Sequence, residues 1–164
     1  MAVLQDRVPA AAERQNRGKS IMDENMIREK FIQGYDCSQV VITNFAEKMG
    51  LSEDLANKVA ACFGGGMMQA DTCGAFTGAL MVIGLKYGHY DPDQLLAQKD
   101  IMMAKSGEFK KKYFEKRTTC NCKELLGYDV SKPEEFQEAL ESGRMMSFCP
   151  ELVKEVIGIL DEMI

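Results

Sequence analysis

The chain has 164 residues, of which 46% are hydrophobic and 27% charged, and its formal net charge is −5 at pH 7. This length can bury one substantial core, while the acidic balance gives no electrostatic support for binding nucleic acid. No segment reaches the roughly 18 apolar residues of a membrane span, and the N-terminus lacks the apolar core of a signal peptide, so we expect a cytoplasmic protein without a membrane span.

Hydrophobic periodicity predicts an all-α fold, a compact bundle of about six or seven helices with no significant sheet. Apolar positions recur at helical spacing, and no stretch alternates apolar and polar residues as a strand does. Residues 1–18 are polar and are interpreted as an N-terminal extension. Residues 19–164 are interpreted as a single helical domain that carries the cysteines.

Capping residues give the predicted helix boundaries in the first half of the chain. Gly34 ends the first helix, and Asp36 caps the second. Ser52 caps a short third helix that runs to about Cys62 and is broken by the glycines 64–66. The later predicted helices are one capped by Asp71 or Thr72 that ends near Gly88, a long one over 93–117 interrupted at Gly107, a turn at 123–127, one opened by Pro133, and a last one with Cys149 at its cap and Pro150 at its first position.

Six cysteines in a cytoplasmic chain are more often metal ligands, redox groups or packed thiols than a disulfide framework. Four of them are predicted to lie at or beside the first residue of a helix: Cys37, Cys73, Cys122 and Cys149. The free N–H groups and the dipole at a helix N-terminus favour a thiolate, so we predict low pKa values and a shared site. Cys62, at a helix C-terminus, is interpreted as a buried packing residue, and Cys120 as either an auxiliary thiol or a loop residue.

Small residues follow Cys73 at helical spacing and include Gly74 and Gly78. They predict a smooth helix face that lets another helix end approach closely, which makes Cys73 the expected central member of the site. Three glycines precede it: Gly64, Gly65 and Gly66. They do not match a phosphate-binding loop, because no G-x-x-x-x-G-K-[ST] pattern is present, and we interpret them as backbone that gives clearance to the site.

This pattern resembles the family named for its C…GCAxxG…C…C cysteines, whose members are assigned a redox role. Its first motif resembles 34–39, its central block resembles 64–66 and 73–78, and its later cysteines resemble Cys122 and Cys149. Thr72 stands where the family pattern has glycine. The resemblance implies a small helical protein and supplies no substrate.

Three functions follow as hypotheses from these residues. The first is thiol–disulfide or electron-transfer chemistry by the four cysteines, with an unidentified redox partner protein. The second is a binding module in which the same four thiolates hold an iron–sulfur cluster or Zn. The third is a structural or interaction protein with packed cysteines, and whether the chain is an enzyme stays open. The exposed part of the long helix and the N-terminal extension also predict a homodimer.

Overall fold

The computed structural model describes residues 22–164, so the expected N-terminal extension lies outside the described residues. This part of the chain contains eight α-helices and no strand: α1 (Glu24–Ile32), α2 (Cys37–Ala46), α3 (Glu53–Ala60), α4 (Gly74–Tyr87), α5 (Leu95–Phe114), α6 (Cys122–Leu126), α7 (Pro133–Glu141) and α8 (Arg144–Asp161). The predicted all-α fold class is confirmed. The helix beyond the expected six or seven is the short α6, which the sequence indicated as a turn.

Helix α2 lies at the centre of the bundle. Seven of its ten residues are buried, which leaves it almost no solvent-facing side: Ser38, Val40, Val41, Ile42, Thr43, Phe45 and Ala46. It packs most extensively against α4 and also contacts α3 and α8. A helix buried on nearly all sides can bring its N-terminus into the interior, and that position decides where Cys37 lies.

The predicted caps in the first half of the chain are found. Gly34 has a φ of 96°, which glycine adopts readily after a helix. The backbone N–H of Asp36 donates to Oε1 of Gln39 at 2.9 Å, half of a capping box at the start of α2. Oγ of Ser52 accepts from the N–H of Leu55 at 3.3 Å at the start of α3.

Helix α5 is anchored by its C-terminal half. The rings of Phe76 and Tyr113 meet edge to face with centroids 5.0 Å apart, and Phe109 lies 5.4 Å from Phe76. The helix runs without interruption through 107, contrary to expectation. Towards its N-terminus the side chain of Leu96 is 79% exposed, so the predicted homodimer interface has unburied apolar surface here and stays a prediction. Within residues 22–164 no helix combines the length and apolar character needed to cross a membrane.

The prediction that Cys149 caps the last helix is wrong. The helix begins at Arg144, after Gly143 with a φ of 72°, and Pro150 lies inside it. Proline at this position leaves the carbonyl of Met146 without the backbone donor that a residue four positions later normally supplies. The guanidinium of Arg28 donates to that carbonyl instead, so a side chain from α1 replaces the missing hydrogen bond.

Candidate functional site

Four cysteines from four different helices converge at one place in the bundle. Cys37 forms side-chain hydrogen bonds with both Cys149 and Cys73, and Cys122 is close enough to both Cys37 and Cys73 to interact with them electrostatically. The shared member is therefore Cys37, whereas the sequence indicated Cys73. The reason is that Cys37 begins α2, the helix that packs against both α4 and α8.

Three of the four cysteines lie at helix N-termini, as predicted. Cys37 is the first residue of α2, Cys122 is the first residue of α6, and Cys73 is itself the N-cap of α4, in place of the expected Asp71 or Thr72. Cys149 lies in the interior of α8, so a helix N-terminus does not act on its sulfur. The proline rule misled here, because Pro150 occupies a helix interior position.

Glycines provide the clearance that brings the cysteines together. A Cβ at Gly74 would lie 2.9 Å from the carbonyl oxygen of Phe63 and 3.3 Å from Cβ of Cys37. A Cβ at Gly66 would lie 2.8 Å from Cβ of Cys122, and one at Gly64 would collide with the Asp36 carboxyl group. The absence of a side chain at each of these three glycines therefore makes room for Cys37, Cys122 or Asp36.

An isolated antiparallel bridge pairs Thr72 with Asn121, the residues that precede Cys73 and Cys122, and so holds these two cysteines near each other. The N–H of Cys73 donates to the carbonyl of Cys120 at 2.8 Å. Oδ1 of Asn121 then accepts from a backbone N–H at 3.1 Å and so starts α6 at Cys122. Cys120 therefore contributes to the site through its main chain. Sequence reasoning did not find this bridge, because a single residue pair has no periodic pattern.

The glycines of 64–66 lead into a left-handed turn that borders the site. Four consecutive residues from Gly65 to Met68 have φ between 56° and 64°. The turn is closed by the N–H of Asp71, which donates to the carbonyl of Gly66 at 3.0 Å. Left-handed geometry costs about 1 kcal/mol or more at each non-glycine residue, so Met67 and Met68 store backbone strain beside the cysteines.

Hydrogen bonding and burial favour the protonated form at three of the four clustered thiols. The bond to Cys149 is the largest cause that raises the pKa of Cys37 well above the ordinary thiol value, whereas the bond with Cys73 lowers it. The bond with Cys37, followed by burial, raises the pKa of Cys73, although two N–H groups in the first turn of α4 lower it. Burial raises the pKa of Cys122 to about 12. The expectation of low-pKa thiolates is wrong at these three positions, because desolvation and neighbouring thiols outweigh the helix ends.

The two hydrogen bonds of Cys37 link three sulfurs in the order Cys73, Cys37, Cys149. The three sulfurs form a chain that ends on Cys149, which is partly exposed, whereas Cys73 is only 5% exposed.

Alkylation of Cys122 by iodoacetamide is expected to accelerate about tenfold for each pH unit from pH 7 to 10. Only the thiolate reacts, and a pKa of about 12 keeps its fraction far from saturation over this range. A blocked model peptide with one cysteine, whose thiol pKa is near 8.5, should level off above about pH 9. The measurement is mass spectrometry of the Cys122 peptide, with circular dichroism to verify the fold at each pH. A Cys122 profile that levels off near pH 9 would contradict the raised pKa.

Cys62 does not have its predicted role, because its side chain is exposed. The inward stripe of α3 is marked by Ala56 and Ala60, which are four residues apart and fully buried. Cys62 follows Ala60 by two residues in a short 3-10 turn and so leaves that stripe. An exposed thiol outside the cluster makes Cys62 a natural control for experiments on the other cysteines.

A cavity of about 360 Å³ opens beside the cluster, and the thiol-bearing residues Cys37, Cys122 and Cys149 lie on its wall. Most of the remaining wall is apolar or aromatic, which sequence reasoning did not foresee because its residues come from separate helices. In residues 22–164 no three side chains of His, Cys, Asp or Glu come together in a way that could hold a metal ion. The described geometry therefore offers a thiol cluster beside an apolar cavity rather than an assembled metal site.

An all-α fold with four clustered cysteines defines a class of small helical thiol protein. The sequence matches the profile of the family described as "Putative redox-active protein (C_GCAxxG_C_C)" over residues 35–163, which is most of the chain. The chain belongs to this family, as its cysteine pattern predicted. Searches of curated proteins and of solved structures found no significant match.

Proposed function

We propose that this protein carries out thiol–disulfide chemistry in which Cys37 exchanges partners. The observation that carries the proposal is that Cys37 is hydrogen-bonded to two other cysteines. Cys37 can therefore form a disulfide with Cys149 or with Cys73, but not with both at once. The Cys37–Cys149 disulfide would have both residues on the cavity wall, whereas the Cys37–Cys73 disulfide would include the buried Cys73. Exchange between these two disulfides would form a relay between the surface and the interior.

Accessibility supports an order for the steps. Cys149 is partly exposed and lies on the cavity wall, so it is the thiol that attacks an incoming disulfide. Cys37 then attacks the sulfur of Cys149, and the Cys37–Cys149 disulfide forms as the incoming group leaves. Attack by Cys73 on Cys37 would move the disulfide inward and return Cys149 to the thiol state. Two electrons and two thiol protons leave the protein for each external disulfide reduced.

Disulfide mapping tests this proposal. The reduced protein is oxidised with one equivalent of diamide, quenched by alkylation, digested and analysed by mass spectrometry. The expected product contains a Cys37–Cys149 disulfide, and the Cys149→Ser variant should instead form Cys37–Cys73. Cys62 and Cys120 should not form disulfides in either protein, so both should be recovered in the alkylated form.

Two results would contradict the proposal. If all four clustered cysteines stay reduced under diamide, they are packing residues, the third of the hypotheses from the sequence. If protein purified without oxygen contains stoichiometric iron or zinc that is lost in Cys37→Ser, the cysteines are ligands rather than a relay. The cytoplasmic location and the redox partner protein stay predictions.

A further inference from the structure

The cavity beside the thiols has the size of a small-molecule site. Its volume of about 360 Å³ falls within the range of ligand pockets. Because Cys37, Cys122 and Cys149 share its wall, a molecule inside the cavity would be in contact with the cluster. The proposed relay needs a substrate, so the chemistry of this wall bears on which disulfide can reach it.

The wall is mostly apolar. Side chains from four helices contribute to it: Phe31 of α1, Leu126 of α6, Phe136 and Leu140 of α7, and Met145 and Met146 of α8. Phe136 and Leu140 are 41% and 40% exposed, so they leave apolar surface in contact with water. An apolar ligand that covers this surface gains about 25 cal/mol for each Å² buried.

The charge on the wall is negative. Asp36 is the only charged residue that lines the cavity among the described residues, and burial raises the pKa of its carboxyl group. An anionic ligand would have to leave water for a mostly apolar wall and approach the Asp36 carboxyl group without a compensating cation.

Lys30 lies 4.9 Å from the ring centroid of Tyr35 on the cavity wall, and it pairs with Glu53 at 3.1 Å. Four further nearby cations are engaged elsewhere. Arg28 pairs with Glu24 at 2.6 Å and donates to the carbonyl of Met146. The guanidinium of Arg144 donates to the carbonyls of Leu125 and Leu126, both at 3.3 Å. Lys132 and Lys123 both contact Asp129, and Lys132 also pairs with Glu135 at 2.8 Å. None of these four cations lines the cavity.

Resting on the proposed function, we propose that the substrate of this site is a small, uncharged, apolar disulfide. The thiolate of Cys149 attacks one sulfur of the substrate, so a mixed disulfide forms and the first thiolate leaves. Cys37 attacks the sulfur of Cys149 and expels the second. The substrate disulfide is reduced to two thiols, which take up the two protons from the cysteines, and Cys37 and Cys149 are oxidised to a disulfide. Anionic thiols and disulfides of the glutathione type are selected against.

A matched pair of chromogenic disulfides tests the proposal in the Cys62→Ser background. The uncharged reagent is 4,4′-dithiodipyridine, and the anionic reagent is 5,5′-dithiobis(2-nitrobenzoate), which carries two carboxylates. Each rate is measured by stopped-flow absorbance and divided by the rate of the same reagent with N-acetylcysteine. We expect the corrected rate with the uncharged reagent to be higher by about tenfold or more.

Two variants test the cause of this selectivity. Asp36→Asn keeps a residue that caps α2 well but removes the charge. It should therefore lower the ratio of the corrected rate with the uncharged reagent to that with the anionic reagent. Leu140→Lys places a cation at the cavity and should narrow the ratio further, by raising the rate of the anionic reagent. Circular dichroism verifies that both variants are folded.

The failures are distinguishable. A corrected ratio near one in the parent protein, or a ratio that neither variant changes, would overturn the substrate class while leaving the relay intact. The absence of an intramolecular disulfide of Cys37 after reaction with either reagent, seen by mass spectrometry as adducts only, would overturn the relay itself. A higher rate with the uncharged reagent together with a Cys37–Cys149 disulfide supports both.

Discussion

Replacing Cys37 with serine is expected to slow the formation of intramolecular disulfides by about 100-fold or more, a larger effect than any other single cysteine replacement. Cys37 is the only one of the clustered cysteines that is hydrogen-bonded to two others, so its loss removes both candidate disulfides. Cys149→Ser and Cys73→Ser each leave one pair in place. The measurement is the rate at which free thiols disappear after one equivalent of diamide, followed with timed alkylation and mass spectrometry.

Cys62→Ser is the matched control for this prediction. Cys62 is exposed and lies outside the cluster, so its removal should leave the rate of disulfide formation unchanged. If Cys37→Ser oxidises as fast as Cys62→Ser, Cys37 is not the exchanging residue. If Cys73→Ser alone abolishes oxidation, Cys73 is the central member of the site, as the sequence predicted.

Gly78→Ala and Gly84→Ala are expected to change the free energy of unfolding in opposite directions, although both glycines lie in α4. A Cβ at Gly78 would lie 3.0 Å from the carbonyl oxygen of Ser38 and 3.0 Å from Cβ of Val41, where α2 crosses. Overpacking of this kind costs about 1–3 kcal/mol, which outweighs the gain in helix propensity. A Cβ at Gly84 meets nothing within 4 Å, so this variant should gain about 0.5–1 kcal/mol.

Urea unfolding followed by circular dichroism measures both changes, and the two variants should differ by about 2 kcal/mol. Gly78→Ala should also slow the formation of the Cys37–Cys73 disulfide in a Cys149→Ser background, because it pushes the N-terminus of α2 away from α4. Equal stabilisation by both substitutions would mean that α2 and α4 do not approach as closely as the structure shows.

Much of the local structure was predictable from the sequence because it depends on neighbouring residues. Asp36 and Ser52 begin helices, and Gly34 follows the end of one, through hydrogen bonds or dihedral angles within a few positions of each residue. Cys37 and Cys122 follow such caps and were correctly assigned to helix N-termini. The start of α8 was not predictable in the same way, because Arg28 satisfies the carbonyl that Pro150 leaves open from a distant helix.

The chemistry of the thiols was less predictable than their positions. A helix N-terminus lowers a thiol pKa, and this effect is visible at Cys73. Burial and the neighbouring sulfur are stronger there, and both depend on which helices pack around the residue. Cys62 shows the same limit, since a short 3-10 turn removes it from the buried stripe of α3 and exposes it.

The sequence alone determined that this protein is all-α, that it belongs to a family with four characteristic cysteines, and that small residues after Cys73 allow a close helix approach. The fold class and the close approach follow from periodicity, capping and side-chain size, which act over a few residues, and the family follows from the resemblance of the cysteine pattern. Only the tertiary structure decided that Cys37 is the shared member, that the pKa values of Cys37, Cys73 and Cys122 are raised, and that a mostly apolar cavity lies beside them. Each of these depends on desolvation and contacts between helices far apart in the chain.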